Sequence, residues 1–121
     1  FAPRDQALAW LLEVGNVRFL FASDLTTAGE HLLLRVIENL RADVLLVANH
    51  GRKTSTSTVF LEQVAPRLAV ISSAGTAEAP AAQVLSRLAA RGISTLRTDQ
   101  LGDIIMQSDG RRLTWYSPTT R

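Results

Sequence analysis

The stretch that decides the fold is Asp43 to Thr58, which reads DVLLVANHGRKTSTST. Its first part, Val44 to Ala48, is a short continuous apolar run, which is typical of a strand buried on both faces of a parallel sheet. The run ends in Asn49-His50-Gly51, followed by two cations and five hydroxyl residues. A histidine at a strand end, beside a glycine and positive charge, makes this stretch the first candidate for a site.

Strands and helices alternate outward from this stretch. Strands are predicted at 7–14, 17–22, 44–48, 68–72, 93–97, 103–107 and 112–116, and helices at 27–40, at 58–65 and from Pro80 to a stop at Gly92. Two-residue turn signals at Gly15-Asn16 and Asp109-Gly110 predict antiparallel hairpins at the two ends. The order β-β-α-β-α-β-α-β-β-β therefore predicts an α/β domain with a mixed sheet, whose central strands are parallel.

The helix predicted at 27–40 carries the clearest pattern. Thr27 and Glu30 have the spacing of a capping box. Its apolar residues recur at helical spacing, and they are Ala28, Leu32, Leu33, Val36, Ile37 and Leu40. We expect this stripe to pack on the sheet.

Composition bounds the class of protein. The 121 residues are 46% apolar and 20% charged, which suits one globular domain or part of one. A net charge of +2 is too small to indicate nucleic-acid binding by itself. The lack of cysteine excludes a disulfide framework, a thiolate nucleophile and a cysteine-type zinc site. No run reaches the roughly 20 apolar residues of a membrane span, and because Phe1 is not Met we expect an excerpt of a longer protein.

Asp24 and His50 are the candidate metal ligands. Each follows a predicted parallel strand, and ligands of α/β sheets lie beyond the carboxyl ends of the strands. Carboxylate oxygen and imidazole nitrogen are ligands of zinc or manganese. Alternatives remain open at this point: Asp24 as a turn or capping residue, His50 as a loop histidine bonded to the backbone, and the hydroxyl run as a helix cap.

The ordered motifs resemble a known family. The segment from Val17 to Asp24 resembles the strand ending in Thr-Gly-Asp-Leu of metallo-β-lactamase-fold hydrolases. The segment from Ala42 to Gly51, with Thr54-Ser55, is similar to Ala-Asp-Val-Leu-Lys-Val-X-His-His-Gly-Ser-X-X-Ser in the C-terminal domain of ComEC-type DNA-internalisation competence proteins. Pro66 to Ser72 and Leu96 to Asp99 continue the resemblance in order.

This resemblance implies a metal-dependent, nuclease-like phosphodiesterase associated with DNA uptake. Asp24 would bridge two divalent metals, Zn or Mn, and His50 would ligate the second. The residues expected to contact the DNA backbone are Asn49, Arg52, Lys53, Thr54 and Ser55, helped by the N-terminus of the following helix.

The departures from the family pattern limit what this chain does alone. Asn49 replaces the first histidine of a His-His pair, and Ala79 replaces the histidine of a His-Pro. The main metal-binding motif, His-X-His-X-Asp-His, is absent from these residues. His31, the other histidine, is expected at the surface. The resemblance is therefore to the second half of an αββα sandwich, inactive as a fragment.

Half of such a sandwich exposes one apolar sheet face. We expect it to be covered by the N-terminal half of the same domain or by a second copy. The resemblance also implies DNA and a membrane channel region as partners, and an extracytoplasmic domain of a bacterial membrane protein. The alternative is a degenerate, non-catalytic DNA- or partner-binding module, which Asn49 and Ala79 favour. A flavodoxin- or receiver-like domain fits less well, since the acidic pair and the glycine-rich phosphate loop are missing.

Overall fold

The structure, a computed structural model, describes residues 9–118. Its elements are β1 (Trp10–Val14), β2 (Val17–Phe21), α1 (Thr27–Val36), β3 (Val44–Leu46), a single 3-10 turn (Ala48–Gly51), α2 (Thr58–Val64), β4 (Leu68–Ile71), α3 (Ala82–Ala90), β5 (Ser94–Arg97), the one-turn α4 (Thr98–Leu101), β6 (Ile105–Ser108) and β7 (Leu113–Tyr116). The predicted order is confirmed, with α4 as an unexpected addition. Residues 7 and 8 of the predicted first strand lie outside the described residues.

The main sheet has five strands in the order β1-β2-β3-β4-β5. β1 pairs antiparallel with β2 through the predicted turn at Gly15-Asn16, and the remaining pairs are parallel. Residues of α1, α2 and α3 all belong to the core on one face of the sheet, as expected when sequential parallel strands are joined by crossovers of the same hand. The mixed α/β sheet expected from the sequence is thus confirmed.

Each face of the sheet carries its own core. On the helix face, Phe60, Leu61 and Leu88 are fully buried against strand residues such as Leu45. Burying one such side chain contributes about 1.5–3 kcal/mol. On the other face, buried strand residues pack against the β6–β7 hairpin. That face is lined by Val17, Phe19, Val44, Leu68, Val70 and Leu96.

The β6–β7 hairpin is attached to the sheet at the first turn. The Asn16 N–H donates to the Gly110 carbonyl at 2.6 Å. Gly15 has a φ of +57°, and a Cβ there would lie 2.5 Å from the Gly110 oxygen. The close approach of the two turns therefore requires glycine at position 15. The second turn has four residues, because Ser108 pairs with Leu113, which corrects the predicted two-residue turn at Asp109-Gly110.

The end, the cap and the buried face predicted for the first helix are corrected. α1 ends at Val36 rather than at residue 40, and it begins after Thr26 without a side-chain cap, so the capping box of Thr27 and Glu30 is wrong. The predicted buried stripe is also wrong in part, because Leu32 and Val36 are 50% and 66% exposed. Gly29, which approaches Leu25 closely, and Glu30 take the buried face instead.

The third helix begins two residues later than predicted. α3 starts at Ala82, after an N-cap at Ala81, so Pro80 is not its first residue. The stop at Gly92 is confirmed by a φ of +69°. No helix within residues 9–118 is long and apolar enough to cross a membrane.

Candidate functional site

Asp24 and His50 meet at one cleft beyond the carboxyl ends of β2 and β3. The cleft has a volume of about 490 Å³ and is lined by Trp10, Phe21, Ser23, Asp24, Leu46, Val47, Asn49, His50 and Ser72. The Asn49 N–H donates to the Ser23 carbonyl at 2.8 Å, which joins the two strand-end loops directly. Both predicted ligands are exposed. The geometry therefore brings together the pair that the sequence selected.

The backbone at this edge is held in an unusual conformation. Asn49, His50 and Gly51 have φ values of 52°, 58° and 84°, all in the left-handed region. For the two non-glycine residues this conformation costs on the order of 1–3 kcal/mol each. It persists because the surroundings restrain it, through Arg52 N–H to the Asn49 carbonyl at 3.0 Å and Ala81 N–H to the Gly51 carbonyl at 2.9 Å. Strain of this kind concentrates at functional sites.

His50 is oriented by the next strand. Its Nδ1 lies 2.8 Å from the carbonyl oxygen of Ser72, at the end of β4. Since a carbonyl only accepts, Nδ1 carries a proton, and in the neutral ring Nε2 then has the lone pair that can bind a metal. Metal-bound histidines commonly donate their second ring N–H to a carbonyl in this way. The backbone bond expected of a loop histidine is thus present, and it leaves Nε2 free to ligate.

The carboxyl ends of β4 and β5 are joined in the same manner. The Ser73 N–H donates to Thr98 Oγ1 at 2.9 Å, and that hydroxyl donates to the Ser73 carbonyl at 3.2 Å. Arg97 forms a two-bond pair with Asp99, at 3.1 and 2.7 Å. Hydrogen bonding to this guanidinium lowers the pKa of Asp99 from its ordinary value. Asp99 is therefore committed to Arg97, while Asp24 and His50 stay available.

The donor set for a metal is incomplete in this part of the chain. Within residues 9–118, no group of three or more His, Cys, Asp or Glu side chains could hold a metal ion. The chemistry of Asp24 and His50 suits a divalent cation, with one hard oxygen and one imidazole nitrogen. Two donors fit such an ion as part of a site, so further ligands have to come from elsewhere.

Asn49 and Ser55 support the loop through hydrogen bonds within it, and Asn49 also lines the cleft of Asp24 and His50. Asn49 Nδ2 donates to the Leu25 carbonyl at 2.9 Å and to Ser55 Oγ at 2.7 Å. Ser55 is fully buried, and its hydroxyl donates to the same carbonyl at 2.6 Å. The substrate contact predicted for Ser55 is contradicted by this burial, and the amide nitrogen of Asn49 is already used.

Two charged side chains that sequence reasoning missed hold the same loop from opposite sides. The buried carboxylate of Glu30, on α1, accepts from the N–H groups of Thr56 and Ser57. Arg87, on α3, donates to the carbonyls of Ser55 and Thr56, at 3.3 and 2.9 Å. We call this arrangement of Glu30 and Arg87 the loop clamp. The sequence offered no signal for it beyond a charged residue in each helix.

The loop clamp lies directly before the N-terminus of α2, where the sequence predicts a phosphate contact. The N–H groups of Thr56 and Ser57 are taken by the Glu30 carboxylate, and Ser57 Oγ accepts from the Phe60 N–H at 3.2 Å. The Glu30 carboxylate therefore occupies the two backbone donors just before α2, and a phosphate contact at the first N–H groups of the helix itself stays a prediction.

Arg52, Lys53 and Thr54 remain exposed on the outer side of the loop. They line a second cleft, of about 420 Å³, whose other lining residues are Ala77, Glu78, Ala81, Ala82 and Gln83. Among the residues that the structure describes, neither Arg52 nor Lys53 takes part in an ion pair. Two free cations are therefore available to an anionic ligand.

The sequence of this chain is similar to those of known proteins. The chain is 36% identical over 105 residues to ComE operon protein 3 of Bacillus subtilis, which covers 85% of the chain and 14% of that protein. It is 42% identical over 91 residues to Competence protein ComA of Neisseria gonorrhoeae, which covers 73% of the chain and 13% of that protein. The likeness is to competence proteins.

A third similar protein is Recombination protein 2 of Haemophilus influenzae, at 40% identity over 72 residues, 60% of the chain and 9% of that protein. The chain thus spans at most 14% of the length of these relatives. No family model matches it. The resemblance to competence proteins inferred from the sequence is confirmed at this level.

Proposed function

We propose that the chain is part of a metal-dependent, nuclease-like phosphodiesterase domain that serves DNA uptake in natural competence, and that it is inactive by itself. The observation that carries the proposal is the shared cleft of Asp24 and His50, with His50 Nε2 left free by the bond to Ser72. Similarity to competence proteins supports the biological setting.

In this proposal the Asp24 carboxylate and His50 Nε2 hold one side of a divalent metal pair, Zn or Mn. When bound, such a pair lowers the pKa of water and neutralises charge on the phosphate. The residues of this chain orient and position: the Ser72 carbonyl sets the His50 ring, and the Asn49–Ser55 contact holds the loop. Arg52 and Lys53 supply positive charge to the DNA backbone.

The remaining ligands belong to the other half of a metallo-β-lactamase-like αββα sandwich. The groove between the main sheet and the β6–β7 hairpin supports this. It has a volume of about 350 Å³ and is lined by Leu12, Val14, Phe19, Phe21, Leu46, Val70, Ile104, Met106 and Ser108. We propose that the N-terminal half of the same domain covers this face, with a second copy as the other occupant. The proposal further places the domain outside the cytoplasm, beside the channel of a bacterial membrane protein.

The test is Asp24→Ala in the native protein. We expect it to abolish Mn- or Zn-dependent DNA cleavage while the thermal unfolding midpoint stays within a few degrees, since Asp24 is exposed. The matched control is Asp103→Ala, an exposed aspartate that lines neither cleft. Cleavage unchanged by Asp24→Ala removes this residue from the site. Robust cleavage by the 121-residue chain alone contradicts the half-site proposal.

A second candidate is a non-catalytic DNA- or partner-binding module of the same fold. The observation that favours it is the amide of Asn49, which points into the loop and bonds Leu25 and Ser55. Metal analysis of the native protein separates the two. Bound metal that Asp24→Ala removes supports the hydrolase, and DNA binding without bound metal or cleavage supports the module.

A further inference from the structure

The loop from Asn49 to Thr54 separates two clefts. His50 faces the cleft of Asp24 and Ser72, and Arg52 lines the cleft of Glu78 and Gln83. His50 and Arg52 are two residues apart, so their Cα atoms lie at most about 7 Å from each other. Successive phosphates on each strand of double-stranded DNA rise by about 3.4 Å along the axis. Neighbouring phosphates of a single strand can therefore reach both sides of this loop.

The second cleft is preformed. Its far wall, the start of α3, is fixed to the loop because the Ala81 N–H donates to the Gly51 carbonyl at 2.9 Å. A Cβ on Gly51 would lie 2.9 Å from Pro80, so the wall and the loop are in close contact. The loop clamp holds the residues that follow directly, 55–57, from the other side. Binding here thus costs little ordering of the backbone.

The charges of the second cleft suit a phosphodiester. Arg52 and Lys53 face a wall that consists largely of the small residues Ala77, Ala81 and Ala82. The Arg87 guanidinium lies beneath the loop and is bonded to neutral carbonyls. Glu78 lines the cleft as well and opposes an anion there. Arginine binds phosphate oxygens through its fork of donors, and the small wall leaves room for a sugar or base.

We infer that the cleft of Arg52, Lys53 and Thr54 is a second phosphate subsite, which binds the phosphate next to the one at Asp24 and His50, so that the ligand is a nucleic acid strand of two or more nucleotides. The inference rests on the proposed phosphodiesterase function for the first of these two positions. It assigns to Arg52 and Lys53 a role in strand binding that does not depend on a bound metal.

The experiment measures binding without chemistry. Fluorescence anisotropy of the native protein with labelled oligothymidylates of one, two, four and eight nucleotides is recorded in EDTA, across a salt series. We expect the affinity to rise at least about tenfold from the mononucleotide to the tetranucleotide. The double variant Arg52→Gln, Lys53→Gln should lose at least about tenfold in affinity for the octamer. Its salt slope should fall by about 1.4, or about 0.7 for each phosphate contact on a single strand.

The control is Arg111→Gln, Arg112→Gln, which removes two exposed charges at the β6–β7 turn, outside the cleft. It should leave the affinity within about twofold, and Glu78→Gln should raise it by about two- to fivefold. Equal losses from the two double variants, or a mononucleotide bound as tightly as the tetranucleotide, overturn the subsite. Circular dichroism melting checks that each variant folds.

The outcomes separate this inference from the proposed function. If cleavage requires Asp24 but the Arg52, Lys53 double variant binds the octamer as tightly as the unsubstituted protein, the hydrolase proposal stands and the subsite is wrong. If binding depends on oligonucleotide length and on Arg52 and Lys53, but no metal-dependent cleavage is found, the subsite stands and the hydrolase proposal is wrong.

Discussion

Asp43, at the amino end of β3, holds neighbouring strands together through its carboxylate. Its carboxylate accepts from the Arg18 N–H at 2.8 Å and from Arg41 at 3.2 Å, and lies 3.5 Å from Arg67. Burial raises the pKa of this carboxyl, but the Arg18 N–H and the two guanidinium groups together hold it below its ordinary value. In the sequence Asp43 served only as part of a family motif. In the structure it ties β2, β3 and the start of β4 together.

This arrangement makes stability depend on pH. Because the pKa of Asp43 is lower in the folded state, its contribution is complete well above about pH 4 and is lost as the pH falls below that value. Asp43→Asn should cost about 1–3 kcal/mol of the free energy of unfolding at pH 7. Urea denaturation at pH 7 and pH 3 measures the cost, which should shrink at the lower pH. Asp103→Asn, at an exposed position, is the control, and a cost that is equal at both pH values contradicts the prediction.

At the scale of elements, α1 and α3 each hold the loop that lies between them, in addition to packing in the core. Glu30 is fully buried in α1, and Arg87 reaches the same loop from α3. The hydroxyl run after Lys53 is therefore not a row of free ligands. Residues 55–57 of this run are bonded to Glu30 and Arg87 on the two helices, while Arg52 and Lys53, which precede the run, are exposed.

Removing one side of the loop clamp should loosen the loop. Glu30→Ala leaves the buried N–H of Thr56 without its acceptor, at a cost of about 1–3 kcal/mol. Hydrogen exchange should then speed up at residues 55–57 more than in the sheet. Glu38→Ala, an exposed glutamate just beyond α1, should change neither quantity. Unchanged exchange at 55–57 in the Glu30 variant means that the clamp does not hold the loop.

At the scale of the whole molecule, the two faces of the sheet are covered unequally. Three helices cover one face, whereas the β6–β7 hairpin covers only part of the other. Leu12 and Phe21, which line the groove, stay 49% and 37% exposed, and Trp10, which pairs with Phe21 in the sheet, stays 64% exposed. Apolar surface of this kind contributes about 25 cal/mol for each Å² that a partner buries. The chain by itself is expected to associate through this face.

A pair of substitutions tests this expectation. Leu12→Lys should lower self-association and binding of an apolar dye, since Leu12 lines the groove. Leu32→Lys is the matched control, because Leu32 is 50% exposed but lies on α1, on the opposite face. Light scattering and dye fluorescence measure the two effects. A strictly monomeric chain without dye binding rules out the docking face. Equal effects of the two substitutions would show that association is not specific to the groove.

The sequence by itself determined the alternating elements, the first hairpin, the helix stop at Gly92 and the placement of Asp24 and His50 at one sheet edge. These follow from local patterns, since apolar runs, glycine positions and chain order act over a few residues. It also placed the chain among relatives of competence proteins.

Only the tertiary structure decided which face of α1 is buried and what Glu30, Asn49 and Ser55 do. Glu30 and Thr56 are 26 residues apart, and Arg87 and Thr56 are 31 apart. No periodicity within a helix reports such a partner, because the need of a distant backbone N–H or carbonyl for a hydrogen bond arises only once the chain has folded. For this reason Glu30 lies on the buried face of α1 in place of apolar residues. It was expected to cap its own helix, and instead it supports the loop that carries His50.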